Sequence, residues 1–175
     1  MVFHIRTATE PDIAGIAEVE LAAGRIADAR TPQFVAALCG AISDPLRLVL
    51  VAEAQPPPST ADGAAVVGWA KTHHWNHADG PAPAGHYLGG LTVAPAFRRK
   101  GAAIQLTDAR LAWIWERGTS AWYVVNARNQ ASLELHGRWG FREVARAPGF
   151  HTVTFDGGEG VLLGADRPRT PRWQA

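Results

Sequence analysis

The stretch from Tyr87 to Ala103 constrains the fold more than any other part of this 175-residue chain. It begins as an apolar, partly β-branched run, which predicts a strand, and it closes on Gly101, which opens a long helical segment ending at Gly118. Free backbone N–H groups and the positive end of a helix dipole therefore point at the turn between strand and helix. The turn also carries three consecutive cationic side chains: Arg98, Arg99 and Lys100. Such a turn predicts a phosphate-binding loop.

The loop does not have the sequence of the two commonest phosphate-binding motifs. A P-loop needs a Gly-Lys-Ser/Thr ending, whereas Gly101 is followed by Ala102, Ala103 and Ile104. A dinucleotide-binding fingerprint needs three spaced glycines directly after a strand, and these are also lacking. A different class of phosphate loop is indicated.

A second segment with a recognisable pattern begins at Asn129. Asn129 and His136 are seven residues apart, which is two helical turns, so they project from one side of a helix with Ser132 between them. A Ser/His pair at four-residue spacing also occurs in hydrolases. No Gly-x-Ser-x-Gly elbow precedes Ser132 and no acidic partner is placed, so the hydrolase interpretation is disfavoured.

Together, the two segments resemble the GNAT superfamily of acetyltransferases. Arg98-x-x-Gly101-x-Ala103 is similar to its Gln/Arg-x-x-Gly-x-Gly/Ala pyrophosphate loop. The downstream segment matches its Asn-x-x-Ala/Ser-x-x-Leu-Tyr-x-x-x-Gly-Phe pattern, with histidine in place of the usual tyrosine. The matching residues are Asn129, Ser132, Leu135, Gly140 and Phe141, and the departure is His136.

The resemblance implies an α/β fold with a central mixed sheet that is flanked by helices and splayed where acetyl-CoA binds. Gly89 and Gly90 lie within the strand that would part from its neighbour at a bulge. By the resemblance, Leu91 and Val93 offer main-chain hydrogen bonds to the pantetheine, and an N–H near Leu91 faces the thioester oxygen.

The resemblance also implies the remaining site residues. His136 takes the position of a general acid for the departing thiolate, and Leu91 contributes the oxyanion donor. The general base is not identified, with His73, His86 and Glu20 as alternatives. The implied contacts to acetyl-CoA, the co-substrate, are Leu91, Thr92, Val93, Arg98, Arg99, Lys100, Gly101, Ala102, Ala103, Asn129, Ser132 and His136.

The order of the other elements follows from periodicity and from proline and glycine positions. Predicted strands are Val2–Arg6, Leu46–Glu53 (apolar on both faces, hence central), Ala65–Thr72, and two runs on either side of a turn at 156–158. Predicted helices are Pro11–Gly24 and Pro32–Ser43, and predicted loops are Gln55–Gly63 and 73–85. In the helix after Gly101, Leu106 and Trp113 are expected on a different side from the sheet-facing residues, which leaves a homodimer open.

Composition limits the remaining possibilities. A chain of this length with 47% apolar residues predicts one domain, residues 1–165, followed by a poorly ordered tail, 166–175. Seventeen basic residues against sixteen acidic ones argue against a nucleic-acid or membrane partner. A single cysteine, Cys39, excludes an internal disulfide framework. With no leader pattern, the sequence predicts a cytoplasmic protein.

The histidines His73, His74 and His77 raise a metal hypothesis. Adjacent residues of a continuing strand point to opposite sides, and no further ligand is placed, so a substrate loop without metal is preferred.

The function predicted from these features is direct transfer of acetyl from acetyl-CoA to the amine of a small molecule. The first two helices, the 73–85 loop and the region 150–160 would select that amine. Two alternatives stay open, namely a non-catalytic acyl-CoA-binding sensor or interaction module and a protein N-acetyltransferase.

Overall fold

The computed structural model describes residues 2–28, 31–54, 65–155 and 157–168. The helices are α1 (Ile13–Ala22), α2 (Pro32–Ser43), α3 (Ala102–Trp115) and α4 (Gln130–Gly137). The strands are β1 (Phe3–Thr7), β2 (Val49–Ala54), β3 (Ala65–Trp75), β4 (Gly85–Val93), β5 (Ser120–Asn126), β6 (Arg142–Ala147), β7 (Gly149–Phe150), β8 (Val153–Thr154) and β9 (Gly160–Asp166). The predicted loop Gln55–Gly63 lies outside the described residues.

The chain divides into two compact units, one drawn from residues 1–72 and 89–110 and the other from 73–88 and 111–175. In the first unit the strands follow the order β1-β2-β3-β4, and β2 pairs antiparallel with both β1 and β3. Residues 49–53 of β2 are buried, as expected for a central strand. Buried residues of α1, α2, β2 and β3 form the core: Ile13, Ile16, Val19, Leu38, Val49, Val51 and Trp69 among others.

A charged network holds the first strand of this unit. Arg6 of β1 donates to both carboxylate oxygens of Asp12, at 2.8 and 2.7 Å, and its Nε donates to Glu53 of β2 at 2.8 Å. Asp12 in turn accepts from the backbone N–H of Thr9 at 2.7 Å. The hydrogen bonds from Arg6 hold the pKa of Asp12 well below its usual range. The network ties β1 to β2 and to the segment that enters α1.

In the second unit the order is β3-β4-β5-β9-β6. Strands β4 and β5 are parallel, whereas β9 pairs antiparallel with β5 and with β6. The predicted mixed sheet is therefore confirmed. The main core of this unit joins the second half of α3 to the sheet: Leu88, Leu111, Ile114, Trp115, Tyr123, Val125, Phe141, Val161 and Leu163 among others.

Several predicted boundaries shift for local reasons. The first helix begins as a 3-10 turn, Glu10–Asp12, and becomes α1 only at Ile13. The predicted strand from Leu46 starts at Val49 instead, because Asp44 organises a turn by accepting the backbone N–H of Leu46 at 2.9 Å. Strand β3 continues to Trp75, so His73 and His74 lie in the strand rather than in the predicted loop.

The expectation for Leu106 is wrong. Leu106 is fully buried, and its Cδ1 would lie 3.6 Å from a Cβ placed on Gly68 of β3, so it faces the sheet. Trp113 is half-buried and covered within its own unit, with Arg117 over its ring at 3.9 Å. Of the tail, Asp166 belongs to β9, and 169–175 lie outside the described residues. The single-domain assignment stays a prediction.

Candidate active site

The predicted phosphate loop joins β4 to α3 within the first unit. A 3-10 turn at Pro95–Phe97 follows the strand, and α3 begins directly after Gly101. Two of the three cations brace the loop itself, since Arg98 Nε donates to the Val93 carbonyl at 3.1 Å and Lys100 Nζ donates to the Ala96 carbonyl at 2.8 Å. Arg99 is exposed and forms no hydrogen bond or ion pair in the described part of the chain.

The backbone of this loop takes conformations that turn it sharply before the helix. Arg99 has φ = 60° and Gly101 has φ = 96°, both in the left-handed region. Glycine adopts that region at little cost, whereas other residues are strained there. The first N–H groups of α3 have no partner within the helix. Ala102 beside them is small and buried, so its side chain does not keep an anion away from these N–H groups. The loop thus presents backbone donors and an uncommitted guanidinium to an anion, as a pyrophosphate requires.

Strand β4 is held at its glycine pair by a buried arginine that sequence analysis missed. Arg110 of α3 is fully buried and donates through Nη1 to the carbonyls of Gly89 and Lys71, both at 3.2 Å, and through Nη2 to Thr107 at 2.9 Å. The sequence does contain a signal for it. Arg110 follows Ala102 and Leu106 at intervals of four residues, so a charged residue falls on the buried stripe of the helix. Leu91, Thr92 and Val93 complete the strand after this anchor.

The pairing of β4 with β5 is short. Within the second unit it consists of Tyr87 opposite Trp122 and Leu88 opposite Tyr123, whereas β5 pairs with β9 along its entire length, Ser120–Asn126. A strand that pairs so briefly with its parallel neighbour leaves backbone groups available for another partner.

Three predicted residues, Asn129, Ser132 and His136, lie on or beside α4 in the second unit. Asn129 caps the helix, since its side-chain oxygen accepts the backbone N–H of Ser132 at 3.2 Å. His136 is only 3% exposed, and its Nδ1 bonds to the Ser132 carbonyl at 2.8 Å. The structure therefore brings Ser132 and His136 together and gives Asn129 a structural task at the helix start.

The aromatic neighbour of His136 is a second residue that sequence analysis missed. The ring of Tyr123 stacks on the His136 imidazole, with centroids 4.1 Å apart and planes 21° apart, and its hydroxyl forms a hydrogen bond with Ser132 Oγ. Strand alternation was the available signal, because Tyr123 is one of the residues of β5 that point into the core.

The hydrogen bond of His136 fixes which nitrogen carries the proton. A carbonyl oxygen can only accept, so Nδ1 must be the protonated nitrogen. In the neutral ring Nε2 then carries the lone pair and can accept a proton. It can donate one only when the ring is cationic.

The three candidate general bases lie in different local environments. Glu20 of α1 is buried and accepts the indole N–H of Trp69 at 2.8 Å. His86 of β4 packs against His74 and Trp113, with ring centroids 4.6 and 5.2 Å away. Burial lowers the pKa of His86, and the charges of His74 and Arg117 lower it further. His73 stacks loosely on Trp75 at 6.2 Å.

Two of the segments predicted to select the acceptor meet within the second unit. His151, from the β7–β8 hairpin, donates its backbone N–H to Asp79 at 2.6 Å, and its ring stacks on Trp75 at 4.5 Å. The ring of His77 lies edge-on to the His151 ring, with centroids 5.5 Å apart. Within the described residues, no group of three or more His, Cys, Asp or Glu is arranged to hold a metal ion.

A family model matches residues 26–141, which include the phosphate loop, β4, β5 and α4, and its description is "Acetyltransferase (GNAT) family". The chain belongs to the GNAT acetyltransferase family. It is an acetyl-CoA-dependent N-acetyltransferase, and acetyl-CoA is its co-substrate. Among curated proteins, none matches this GNAT chain by sequence.

Solved structures share the GNAT fold at low identity. One is yncA from Salmonella typhimurium, a candidate acetyltransferase with its cofactor acetyl-CoA, with 23% identity, TM-score 0.68, and coverage of 97% of this chain and 96% of that one. A candidate phosphinothricin N-acetyltransferase has 20% identity, TM-score 0.68, and coverage of 96% and 100%. NAA60 from Arabidopsis thaliana in complex with acetyl-CoA has 15% identity, TM-score 0.70, and coverage of 94% and 98%.

None of the helices in the described part of this GNAT chain has the length and apolarity that a membrane span needs.

Replacing Gly101 tests whether the loop of this GNAT enzyme binds the cofactor. Gly101→Val puts a β-branched residue at φ = 96°, which costs about 1–3 kcal/mol of folding free energy, and it covers the N–H groups at the start of α3. We expect a lower unfolding temperature and an affinity for acetyl-CoA weakened at least about 10-fold, a loss of about 1.4 kcal/mol. Thermal unfolding and calorimetric titration measure the two effects.

The matched control is Gly40→Val in α2, where a Cβ meets no atom within 4 Å and φ is not positive. The control should bind acetyl-CoA like the wild type. If Gly101→Val lost stability but kept its affinity, the glycine would serve only the turn.

Proposed function

We propose that this GNAT enzyme transfers the acetyl group of acetyl-CoA to the amine of a small-molecule acceptor within a ternary complex. The acceptor nitrogen attacks the thioester carbonyl carbon, the C–S bond breaks, and the proton lost by the amine leaves to a base. The thiolate takes up a proton, so the products are an amide and free CoA. The observation that carries the proposal is the loop before α3, with its left-handed Gly101 and uncommitted Arg99 directly after β4.

The cofactor-binding residues that we assign follow the predicted set. Arg99, the amides at Gly101 to Ala103 and the charges of Arg98 and Lys100 would hold the pyrophosphate. The backbone of Leu91, Thr92 and Val93 would pair with the pantetheine. This assignment is supported by the short pairing between β4 and β5. Asn129, Ser132 and His136 complete the assigned set.

Two groups are assigned to the reaction itself. The N–H of Leu91 would donate to the thioester oxygen as negative charge develops there. His136, when cationic, would give a proton from Nε2 to the departing thiolate, while its Nδ1–H bond to Ser132 holds the ring in place. Stacking on Tyr123 also restricts the ring.

A small acceptor is favoured by the buried polar groups beside the glycine pair. Glu20, 8% exposed, and Trp69, 4% exposed, form a hydrogen-bonded pair on the side of the sheet where Gly90 has no side chain. Enclosed polar groups of this kind suit a compact polar ligand. The candidate phosphinothricin N-acetyltransferase among the structural neighbours is named for a small-molecule acceptor, whereas the ribosomal-protein-S18-alanine N-acetyltransferase from Escherichia coli is named for a protein acceptor.

Acetyl-CoA binding and turnover test the proposal separately. A ligand that binds only the folded state raises the unfolding temperature by mass action, and at 100 times its Kd it adds about 2.7 kcal/mol. We expect such a shift with acetyl-CoA, and we expect thiol release when the enzyme is mixed with amines. The panel should contain amino acids, aminoglycosides, polyamines and short peptides with free N-termini.

The outcomes separate the alternatives. Turnover with small amines and not with peptides supports the proposal. A preference for peptides would make the chain a protein N-acetyltransferase. A thermal shift without turnover on any amine would indicate a sensor that binds acyl-CoA.

A further inference from the structure

Lys71 of β3 is half-buried, and its ammonium group has no counter-ion among the described residues. It forms no hydrogen bond or ion pair through its side chain within the described part of the chain. Its ammonium lies over the face of Trp69 in a cation–π contact, with Nζ 5.8 Å from the ring centroid. Withdrawing an ammonium from water without a partner is costly, so an anionic ligand would stabilise this group.

The ionised groups that act on Lys71 are one arginine and one glutamate. Arg47 contributes a second positive charge and is itself paired with Asp44 at 3.2 Å. Glu20 contributes a negative charge, and one of its oxygens accepts the indole N–H of Trp69. Burial lowers the pKa of Lys71 and Arg47 lowers it further, while Glu20 opposes both. In the described part of the chain neither group forms an ion pair with Lys71, so an anion beside it would supply a direct counter-ion.

Lys71 lies beside β4, the strand that carries the proposed oxyanion donor. A Cβ added to Gly90 would lie 3.8 Å from Lys71 Cε and 3.8 Å from Trp69 Cη2. Because Gly90 has no side chain, the aliphatic part of Lys71 and the Trp69 indole lie directly beside the Gly90 backbone. Gly90 is the residue before Leu91. A group bound to Lys71 would therefore lie beside the β4 backbone at which we place the thioester.

We propose that Lys71 binds a carboxylate of the acceptor, so that the acceptor is an amine that also carries an acid group, as amino acids do. This inference rests on the proposed function and specifies its substrate class. Lys71 supplies the charge, Trp69 forms the wall that supports the lysine stem, and Glu20 fixes the indole. The absence of a side chain at Gly90 leaves the β4 backbone beside Lys71 and Trp69 uncovered by a side chain of its own.

An alternative role for Lys71 is that of a general base, which would need the neutral amine. Burial and the charge of Arg47 lower the pKa of Lys71, which favours the neutral amine, whereas the charge of Glu20 and the face of Trp69 favour the ammonium form. Only the ammonium form can bind a carboxylate, and only the neutral amine can accept a proton. The two roles differ in kinetics. Loss of a carboxylate contact raises KM for acid-bearing acceptors, whereas loss of a base lowers kcat for every acceptor.

The test compares proteinogenic L-amino acids with their α-amides as acceptors, by thiol release. We expect the wild type to prefer the best acid over its amide at least about 10-fold in kcat/KM, which is about 1.4 kcal/mol. Lys71→Met should raise KM for the acid about 10–100-fold, the usual worth of a charge-assisted hydrogen bond, and leave kcat within about 3-fold. KM for the amide should not change. Lys71→Arg should recover part of the loss.

The control is Arg47→Met, which removes a neighbouring charge that already has a partner and should change KM for the acid less than about 3-fold. Calorimetric titration of acetyl-CoA and thermal unfolding are run on each variant, so that a misfolded protein is recognised.

Four outcomes would overturn the inference. A wild type that prefers amides, or a Lys71→Met variant with unchanged KM for the acid, rejects the carboxylate contact while the proposed function stands. A fall in kcat for acids and amides alike makes Lys71 the base instead. No turnover with any amine, with acetyl-CoA binding intact, rejects the proposed function and the inference together.

Discussion

Reversing the charge of Arg99 and Lys100 together is expected to weaken acetyl-CoA binding about 100-fold at low salt. Each charge-assisted contact to a phosphate contributes about 1.5–3 kcal/mol, and the lower figure applies here because both side chains are exposed. Arg99 is the more effective of the two, since its guanidinium has no partner in the described part of the chain, whereas Lys100 also bonds to the Ala96 carbonyl. Calorimetric titration of the Arg99→Glu/Lys100→Glu variant gives the change in Kd.

Salt dependence and a charge-matched control complete this experiment. The difference between variant and wild type should shrink as ionic strength rises, because screening acts on exposed charges. The control reverses Arg25 and Arg142, two exposed arginines outside the loop, and changes the net charge equally. If the control lost as much affinity as the loop variant, the effect would come from overall charge, and the loop assignment would fail.

The second large effect is expected at His136. His136→Phe keeps a ring that can stack on Tyr123 but removes both nitrogens, so a role in proton transfer is lost while packing is largely retained. We expect kcat to fall about 10²–10⁴-fold, the usual worth of a positioned acid, with the Kd for acetyl-CoA within about 3-fold of wild type. His136→Tyr should recover part of kcat, because a phenol can also donate a proton.

The pH dependence gives an independent measurement. Because Nδ1–H is used on the Ser132 carbonyl, His136 can donate from Nε2 only as the cation. The wild-type kcat should therefore fall as pH rises through the pKa of His136 in the ternary complex. The kcat of the His136→Phe variant should not show this fall. A Phe variant with near-normal kcat and the same pH profile would show that the ring only packs beside the cofactor.

The elements of this enzyme that could be predicted from sequence are those whose signals are local. Gly101 marks the turn because only glycine takes φ = 96° without strain, and the adjacent cations and helix start follow within a few residues. The helix with Asn129, Ser132 and His136 was recognisable because its seven-residue spacing lies within one segment.

What could not be predicted depends on contacts between distant segments. The side of α3 that faces the sheet was misjudged at Leu106, because this helix carries apolar residues around much of its circumference and packing decides which are covered. The partners of Arg110 are strand carbonyls 21 and 39 residues away, and backbone groups leave no trace in sequence. The contact of Tyr123 with His136 likewise requires β5 and α4 to be placed first.

The bond from Arg110 to the Gly89 carbonyl has a thermodynamic consequence for ligand binding. Two consecutive glycines give a backbone more conformational entropy than any other pair, and ordering them during binding would subtract from affinity. The buried guanidinium, anchored on Thr107 and Lys71, restrains this segment in the free protein. The entropy of Gly89 and Gly90 is therefore lost when the chain folds, and a ligand that pairs with β4 meets a strand that is already preorganised.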